Sequence, residues 1–185
     1  MDKEYYTGIG SREVPPEIAA KMTKIARYLR NQGYILRSGH ADGSDMAFEL
    51  GSMGDSEIYL PWSGFNKQYN MPLDQSIGVY QVPNFTTKHE EILSDVHPLA
   101  STLSKGVKAL HLRNINQVYG KDVENPVFSD FVICFSPDGA ENYRSCSRDT
   151  GGTGTAIKIA SLQMIPVFNL KNDNCIERFK KYLKI

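Results

Sequence analysis

The sequence has few cysteines, no excess of charge of either sign and no long apolar run. Its three cysteines, Cys134, Cys146 and Cys175, are widely spaced and form no CxxC pair, which argues against a disulfide framework and against a cysteine-rich zinc site. Lysine plus arginine and aspartate plus glutamate each number 21, so the formal net charge is zero. The overall basic charge of a dedicated nucleic-acid binder is therefore missing, which leaves room only for a local basic patch.

No stretch has the length needed to span a bilayer, and residues 1–4 contain no apolar signal-peptide core. We therefore expect a cytoplasmic protein that does not bind membranes. The 185 residues, of which 41% are hydrophobic, suit one globular domain over 1–185 with an ordinary core. Residues 171–185 are expected to contain a C-terminal helix.

Short apolar segments alternate with segments of helical periodicity. The strand-like segments are 5–10, 34–36, 58–60, 77–82, 131–135 and 166–169. The helix-like segments are 16–32, 46–50, 87–96, 99–119, 156–164 and 174–183. This alternation predicts βαβ units and hence a Rossmann-like α/β fold, with a mostly parallel sheet and helices on both faces. Thr87 is expected to cap its helix, with Glu90 completing a capping box.

Three glycine-rich turns follow predicted strands, at 8–12, 38–45 and 151–155. Ligands of open parallel sheets bind outside the carboxyl ends of the strands, at the point where the strand order reverses. The position of the three turns at such ends predicts one composite site.

The third turn, Gly151 to Thr155, lies between an apolar strand and a helix and is typical of a phosphate cradle. Its alternative is a tight loop that needs only a positive φ. In the first turn, Arg12 offers forked hydrogen bonds to phosphate and Ser11 adds a donor, whereas a solvated surface arginine is the alternative.

The second turn surrounds His40 with carboxylates and could hold a metal ion. The alternative is helix capping, with Asp42 as N-cap and Asp45 at the third helical position. We favour capping together with contacts to ligand hydroxyl groups, which carboxylates at strand ends commonly accept. Glu49, one turn after Asp45, either lines the site or is a solvated helix charge.

A further segment, LHLRN at 110–114, lies in the predicted helix before the strand that leads to the third turn. His111 and Arg113 cannot share a helix face, so only one of them is expected to point into a site. Arg113 is favoured by its chemistry.

The order and spacing of these motifs resemble the DprA/LOG-like Rossmann superfamily, which includes the DNA-processing protein DprA and the LOG nucleoside-monophosphate phosphoribohydrolases. GIGSR at 8–12 is similar to the shared first-strand signature, and SGHADGSDMAFELG at 38–51 is similar to a DprA turn. LHLRN and GGTGT resemble the LOG pair of an arginine-containing helix and a PGGxGTxxE loop. The resemblance spans 5–169. It implies that 151–155 bind phosphate and that Arg113 is the counterpart of the LOG catalytic arginine.

The chain departs from the LOG pattern at several positions. Lys158 stands where the loop motif ends in glutamate, Asn114 replaces a lysine, Thr150 replaces a proline, and 136–149 form a polar insertion. The carboxylate that would assist cleavage of an N-glycosidic bond is therefore missing from its usual place. Three other carboxylates could substitute for it, namely Asp138, Glu141 and Glu49.

We therefore expect the protein to bind a phosphate-bearing nucleotide or nucleotide-derived ligand, including a messenger that it would sense or sequester in conflicts between phages and bacteria. One alternative is a nucleotide N-glycosidase, or phosphoribohydrolase, with Arg113 and Glu49 as candidate catalytic residues. The other is DprA-like binding of single-stranded DNA, with the charge supplied by the lysines near the C-terminus, which otherwise form the solvated face of an amphipathic helix.

Neither a metal nor a cofactor is expected, and the resemblance implies a homo-oligomer. The candidate ligand-binding residues are Gly10, Ser11, Arg12, Ser38, Gly39, Asp42, Asp45, Arg113, Gly151, Gly152, Thr153, Gly154, Thr155 and Lys158.

Overall fold

A computed structural model describes residues 3–68 and 79–185. Six strands form one sheet in the order β4-β3-β2-β1-β5-β6, and every neighbouring pair is parallel. The strands are β1 Glu4–Gly10, β2 Tyr34–Ser38, β3 Ser56–Tyr59, β4 Val79–Gln81, β5 Phe131–Phe135 and β6 Val167–Asn169. The α-helices are α1 Pro16–Asn31, α2 Ser44–Ser52, α3 Thr87–Val96, α4 Lys105–Tyr119, α5 Thr153–Leu162 and α6 Cys175–Leu183. The predicted α/β fold with a parallel sheet is confirmed.

Helices cover both faces of the sheet because the central strands are apolar on both sides. In β5, Phe131, Ile133 and Phe135 belong to the core beneath α1, α2 and α6. The alternating residues Val132 and Cys134 belong to the opposite core, beneath α3, α4 and α5. Such continuous apolar strands are typical of parallel sheets that are buried on both faces.

The order of the strands reverses between β1 and β5. From β1 the chain steps outward through β2 and β3 to β4, and then returns by α4 to β5 on the other side of β1. Gly10 at the end of β1 lies opposite Phe135 at the end of β5. The N–H of Ser11 donates to the Phe135 carbonyl at 2.9 Å. The carboxyl ends of β1 and β5 therefore lie side by side at this switch point, where ligands of such sheets bind.

Two details of the predicted helices were wrong. The N-cap of α3 is Thr86, and His89 completes its capping box by accepting from the Thr86 N–H at 3.1 Å. The helix predicted from residue 99 is divided into a 3₁₀ turn, Ala100–Thr102, and α4. Extended backbone at Leu103 and Ser104 separates the 3₁₀ turn from α4. The helical spacing of apolar residues in the sequence therefore runs across a break in the helix.

The predicted strand 77–82 is described only from residue 79, and its residues 77 and 78 lie outside the described part of the chain. Within the described ranges, no helix combines the length and the apolar character that crossing a bilayer requires.

Candidate functional site

A cleft of about 410 Å³ opens at the switch point between β1 and β5. Its walls are the loop after β1, the start of α2, the N-terminal half of α4, and residues 149–153 at the start of α5. The cleft therefore receives residues from all three predicted glycine-rich turns and from the LHLRN segment.

The third turn presents bare backbone to this cleft. Helix α5 begins at Thr153 with Gly152 as N-cap, and no side chain caps it. Gly151 has φ 58°, in the left-handed region, and an added Cβ on Gly151 or Gly152 would meet no heavy atom within 4 Å. The N–H groups of Gly154 and Thr155 donate to the Gly151 and Gly152 carbonyls at 3.1 and 3.4 Å, which leaves those of Gly152 and Thr153 to attract an anion. Asn114 of α4 fixes the turn by donating to the Gly152 carbonyl at 3.0 Å.

The first turn contributes Gly10, Ser11 and Arg12 to the cleft wall. The Ser11 carbonyl accepts from the Ser44 hydroxyl at 2.8 Å, and the Ser11 hydroxyl accepts from the Glu13 N–H at 3.1 Å. A Cβ on Gly10 would lie 2.5 Å from the Ser44 hydroxyl, so this loop lies directly on the start of α2. Arg12 is exposed and has no ion-pair partner within 3–68 and 79–185.

The second turn does not cap α2 in the predicted way. Gly43, not Asp42, is the N-cap, and Asp45 is the second helical residue rather than the third. The reason is a contact from outside the turn: Gly43 has φ 79°, and a Cβ there would lie 2.2 Å from the Arg12 carbonyl oxygen. Asp42 instead accepts from the Asn66 amide at 3.4 Å.

Of the predicted residues in this turn, only Asp45 lines the cleft; Ser38, Gly39 and Asp42 do not. Ser38 is buried and donates to the Gly8 carbonyl at 2.7 Å. Gly39 lies behind the cleft against Arg113, and a Cβ on Gly39 would fall 0.9 Å from Nη1 of that arginine.

Arg113 and Asp45 form a buried ion pair in the cleft wall. Nη1 of Arg113 lies 3.4 Å from Oδ2 of Asp45, and the two side chains are 5% and 2% exposed. Nε of Arg113 and Oδ1 of Asp45 are buried without a hydrogen-bond partner among the described residues. Buried polar atoms in folded proteins are nearly always paired with protein, water or a ligand. This pair is therefore the part of the cleft with the greatest unmet hydrogen-bonding capacity.

Burial shifts the titration of both partners toward their neutral forms. It raises the pKa of Asp45 to about 6, against the attraction of Arg113 and with a further contribution from the Glu49 carboxylate. It also lowers the pKa of Arg113, against the attraction of Asp45. The ion pair thus only partly offsets the cost of removing its charges from water.

His111 lines the same cleft, so both His111 and Arg113 reach the site and the expectation that only one would do so was wrong. Val107, Leu110, His111 and Asn114 are spaced i, i+3, i+4 and i+7 and form the cleft-facing stripe of α4. Arg113 enters from beside this stripe, because the cleft extends around the helix toward Asp45.

Nδ1 of His111 lies 2.7 Å from the Thr155 hydroxyl at the start of α5. Burial, together with the nearby His97, Arg113 and Lys158, lowers the pKa of His111 to about 4. The imidazole is therefore neutral at pH 7. It offers hydrogen bonds rather than charge.

Lys158 does not line the cleft. Its Nζ donates to the Val96 carbonyl at the end of α3 at 3.1 Å, and it lies 5.2 Å from the centre of the Tyr143 ring. Its position therefore does not support Lys158 as one of the ligand-binding residues.

The three proposed substitute carboxylates also lie outside the cleft wall. Glu49 contacts Nδ1 of His40 at 2.8 Å and accepts from the Tyr80 hydroxyl at 3.2 Å. Glu141 pairs with Arg178 of α6 and accepts from the Asn169 N–H at 2.8 Å.

Asp138 holds the insertion 136–149 together. Its carboxylate accepts hydrogen bonds from the hydroxyl groups of Ser136 and Ser147, both at 2.7 Å, and from that of Thr150. Burial works against ionisation of this group, but these hydrogen bonds outweigh it and hold the pKa of Asp138 below its usual value.

Nine residues of the cleft wall were not among the predicted site residues. Five are polar or charged, namely Glu13, His111, Asn114, Asp149 and Thr150, and four are apolar, namely Ile9, Ala41, Val107 and Leu110. The i, i+3, i+4, i+7 spacing in α4 could have revealed Asn114, whereas Asp149 and Thr150 lie in a 3₁₀ turn, Arg148–Thr150, with no periodic signal. Among the described residues, no group of three or more histidine, cysteine, aspartate or glutamate side chains is placed to hold a metal ion.

No protein-family model and no curated protein sequence matches this chain. A solved structure of DNA processing protein A from Helicobacter pylori, described for its single-stranded DNA binding mode, has a similar fold. The superposition has a TM-score of 0.53 and covers 97% of this chain and 73% of that one, with 16% sequence identity. At this identity the likeness shows a shared Rossmann-like fold and nothing finer.

Proposed function

We propose that the protein binds a phosphate-bearing nucleotide, or a molecule derived from one, in the cleft between β1 and β5. The observation that carries the proposal is the bare N-terminus of α5 opposite two arginines, Arg12 and Arg113, at the switch point of the sheet. The N-terminus of a helix attracts phosphate groups, and the arginine guanidinium binds them through forked hydrogen bonds. A cleft of about 410 Å³ falls within the range of small-molecule sites.

A panel of nucleotides tests this proposal by their effect on thermal unfolding. The panel would contain nucleoside mono-, di- and triphosphates, cyclic nucleotides and ADP-ribose, each added in large excess. A ligand at a hundred times its dissociation constant stabilises the fold by about 2.7 kcal/mol. For a chain of this size we expect a rise in Tm of about 5 to 10 °C.

The site is tested by Gly152→Asp, which places an anion where the phosphate is proposed to bind. The position has open space around it, so we expect the fold to tolerate the side chain. Gly106→Asp is the matched control, because Gly106 also has no heavy atom near an added Cβ and lies in the first turn of α4. We expect Gly152→Asp to abolish the rise in Tm and Gly106→Asp to keep it. Unchanged binding by Gly152→Asp, or stabilisation by no member of the panel, would overturn the proposal.

Hydrolysis of the N-glycosidic bond of a nucleoside monophosphate is a second candidate, and Asp45 is the observation that favours it. This carboxylate lines the cleft beside Arg113, and burial raises its pKa to about 6, toward the neutral range that favours general acid–base catalysis. Chromatography of free base would detect turnover. Activity that Asp45→Asn abolishes and Asp149→Asn retains would support this candidate. No release of base from any monophosphate would exclude it.

Single-stranded DNA is a third candidate ligand, since the H. pylori protein of similar fold binds it. Lys180 and Lys181 in the last turn of α6 are the local basic group that would contact phosphates. The logarithm of the association constant of an oligonucleotide should then fall as the logarithm of the salt concentration rises, with a slope of about one for each phosphate contact. A flat salt titration, or no binding at low salt, would remove this candidate.

A further inference from the structure

Asp45 occupies an unusual position for a carboxylate in an anion site. Its side chain is 2% exposed yet lines the cleft. It is held by a 3.4 Å contact with Arg113 and by the Ala41 N–H at 3.3 Å, while Oδ1 has no partner among the described residues. A phosphate bound next to it would place a second negative charge against a poorly solvated first one.

Charged groups from three segments act on Asp45 directly. They are Glu49 of α2, Arg113 of α4 and His40 of the loop before α2. The charge of Arg12, in the loop after β1, acts on Arg113. The Glu49 carboxylate lies one helical turn from Asp45 and opposes its ionisation. Glu13 and Asp149 add two further carboxylates to the cleft wall. An entering anion therefore meets several negative groups. Among them, Asp45 is buried and paired with Arg113.

We infer that ligand binding is coupled to proton uptake by Asp45. The protonated side chain no longer forms an ion pair with Arg113, and the Arg113 guanidinium then binds the ligand phosphate. The proton comes from solvent and adds to a carboxylate oxygen of Asp45; no other bond is made or broken. The inference rests on the proposed function. Its physical reason is that protonation removes the repulsion between the ligand and a carboxylate that solvent cannot screen.

The proton is available near neutral pH, because burial already raises the pKa of Asp45 to about 6 in the free protein. His111, the histidine of the cleft, is not the group involved, since burial lowers its pKa to about 4. If the bound anion raises the Asp45 pKa by one further unit, affinity falls about fivefold from pH 6 to pH 8.

Calorimetry of AMP binding at pH 7 in two buffers of different ionisation enthalpy measures the proton uptake. Wild type, Asp45→Asn and Asp173→Asn would be compared, so that titration of the AMP phosphate is common to all three. Asp173 is an exposed aspartate outside the cleft wall and serves as the control. We expect wild type and Asp173→Asn to take up at least about 0.3 proton more than Asp45→Asn. The AMP affinity of Asp45→Asn should also depend less on pH than that of wild type.

Carbon-13 NMR of the Asp45 carboxyl group in wild type gives a second measurement that does not depend on how the variant folds. We expect its titration midpoint to rise when AMP is bound. Equal proton uptake by wild type and Asp45→Asn, or an unmoved midpoint with AMP bound, would overturn the coupling and leave the proposed function standing. If wild type itself does not bind AMP or any other member of the nucleotide panel, the proposed function fails, and the coupling fails with it.

Discussion

Replacing Gly39 with alanine tests whether Arg113 keeps its position because residue 39 has no side chain. A Cβ on Gly39 would lie 0.9 Å from Nη1 of Arg113 and 2.4 Å from Nε2 of Gln117. Ordinary contacts are about 3.5 Å or longer, so the guanidinium would retreat by roughly 2.5 Å. Gly39 does not have a positive φ, and alanine therefore adds volume without straining the backbone.

The expected cost has two parts. Overpacking of a filled interior costs about 1–3 kcal/mol, and the retreat also breaks the buried contact between Arg113 and Asp45. Breaking a well-formed buried pair costs about 3–5 kcal/mol, but this one is long at 3.4 Å. We therefore expect a total of about 3 kcal/mol, and a Tm lowered by about 6–12 °C. Loss of the guanidinium should also weaken nucleotide binding about tenfold or more.

Urea unfolding of a double-mutant cycle measures this effect. Arg113→Ala removes the obstructing group, so Gly39→Ala should cost at least about 1 kcal/mol less in that background than in wild type. Gly106→Ala is the control, because its added Cβ meets no atom within 4 Å; it should stabilise α4 by about 0.5–1 kcal/mol. Additive costs in the cycle, or an unchanged urea midpoint for Gly39→Ala, would refute the reasoning.

Three further predictions concern stability. From about pH 4 to 6 the free energy of unfolding of wild type, relative to Asp45→Asn, should fall by about 2 kcal/mol, because the folded pKa of about 6 exceeds the ordinary value of 3.8; a flat difference in urea titrations would contradict this. Gly10→Ala should cost about 1–3 kcal/mol, since its Cβ would lie 2.7 Å from the Phe135 carbonyl, and an unshifted unfolding midpoint would disprove it. Asp138→Asn should speed amide hydrogen exchange over 138–150, because the Asp138 carboxylate accepts the hydrogen bonds that hold this segment together. Unchanged protection would show that other contacts hold the segment.

Much of the fold could be predicted because it depends on short-range patterns. The run of β-branched and aromatic residues at 131–135 is β5, and the helical spacing at 87–96 is α3. Continuous apolar strands alternating with helices leave few arrangements other than a parallel sheet covered on both faces. The glycine-rich turns followed the strands and so reached the same edge of the sheet.

The capping of α2 could not be predicted, because its cause lies far away in the sequence. Asp42 is a good N-cap residue by type, but the Arg12 carbonyl packs where a Cβ at position 43 would lie. This contact selects Gly43 for the N-cap position and moves Asp45 to the second position of the helix. Only the packing of the first turn against the second brings these residues together.

The roles of individual charges in the site were the hardest to predict. Lys158 was a candidate ligand-binding residue, yet α5 is rotated so that this residue contacts the Val96 carbonyl at the end of α3. Asp45 was expected to cap a helix, yet it pairs with Arg113 from a helix more than sixty residues later. A long side chain can point to several neighbours, and the choice depends on how the helices pack.

The sequence by itself thus determined the order of strands and helices, the α/β class and the three turns at the carboxyl edge, since each depends on local periodicity and on the backbone freedom of glycine. The tertiary structure alone decided which residues of those turns line the cleft, that His111 and Arg113 both reach it, and that Asp45 is the buried carboxylate beside Arg113. These depend on helix rotation and on burial, which arise only when distant segments pack together and exclude water.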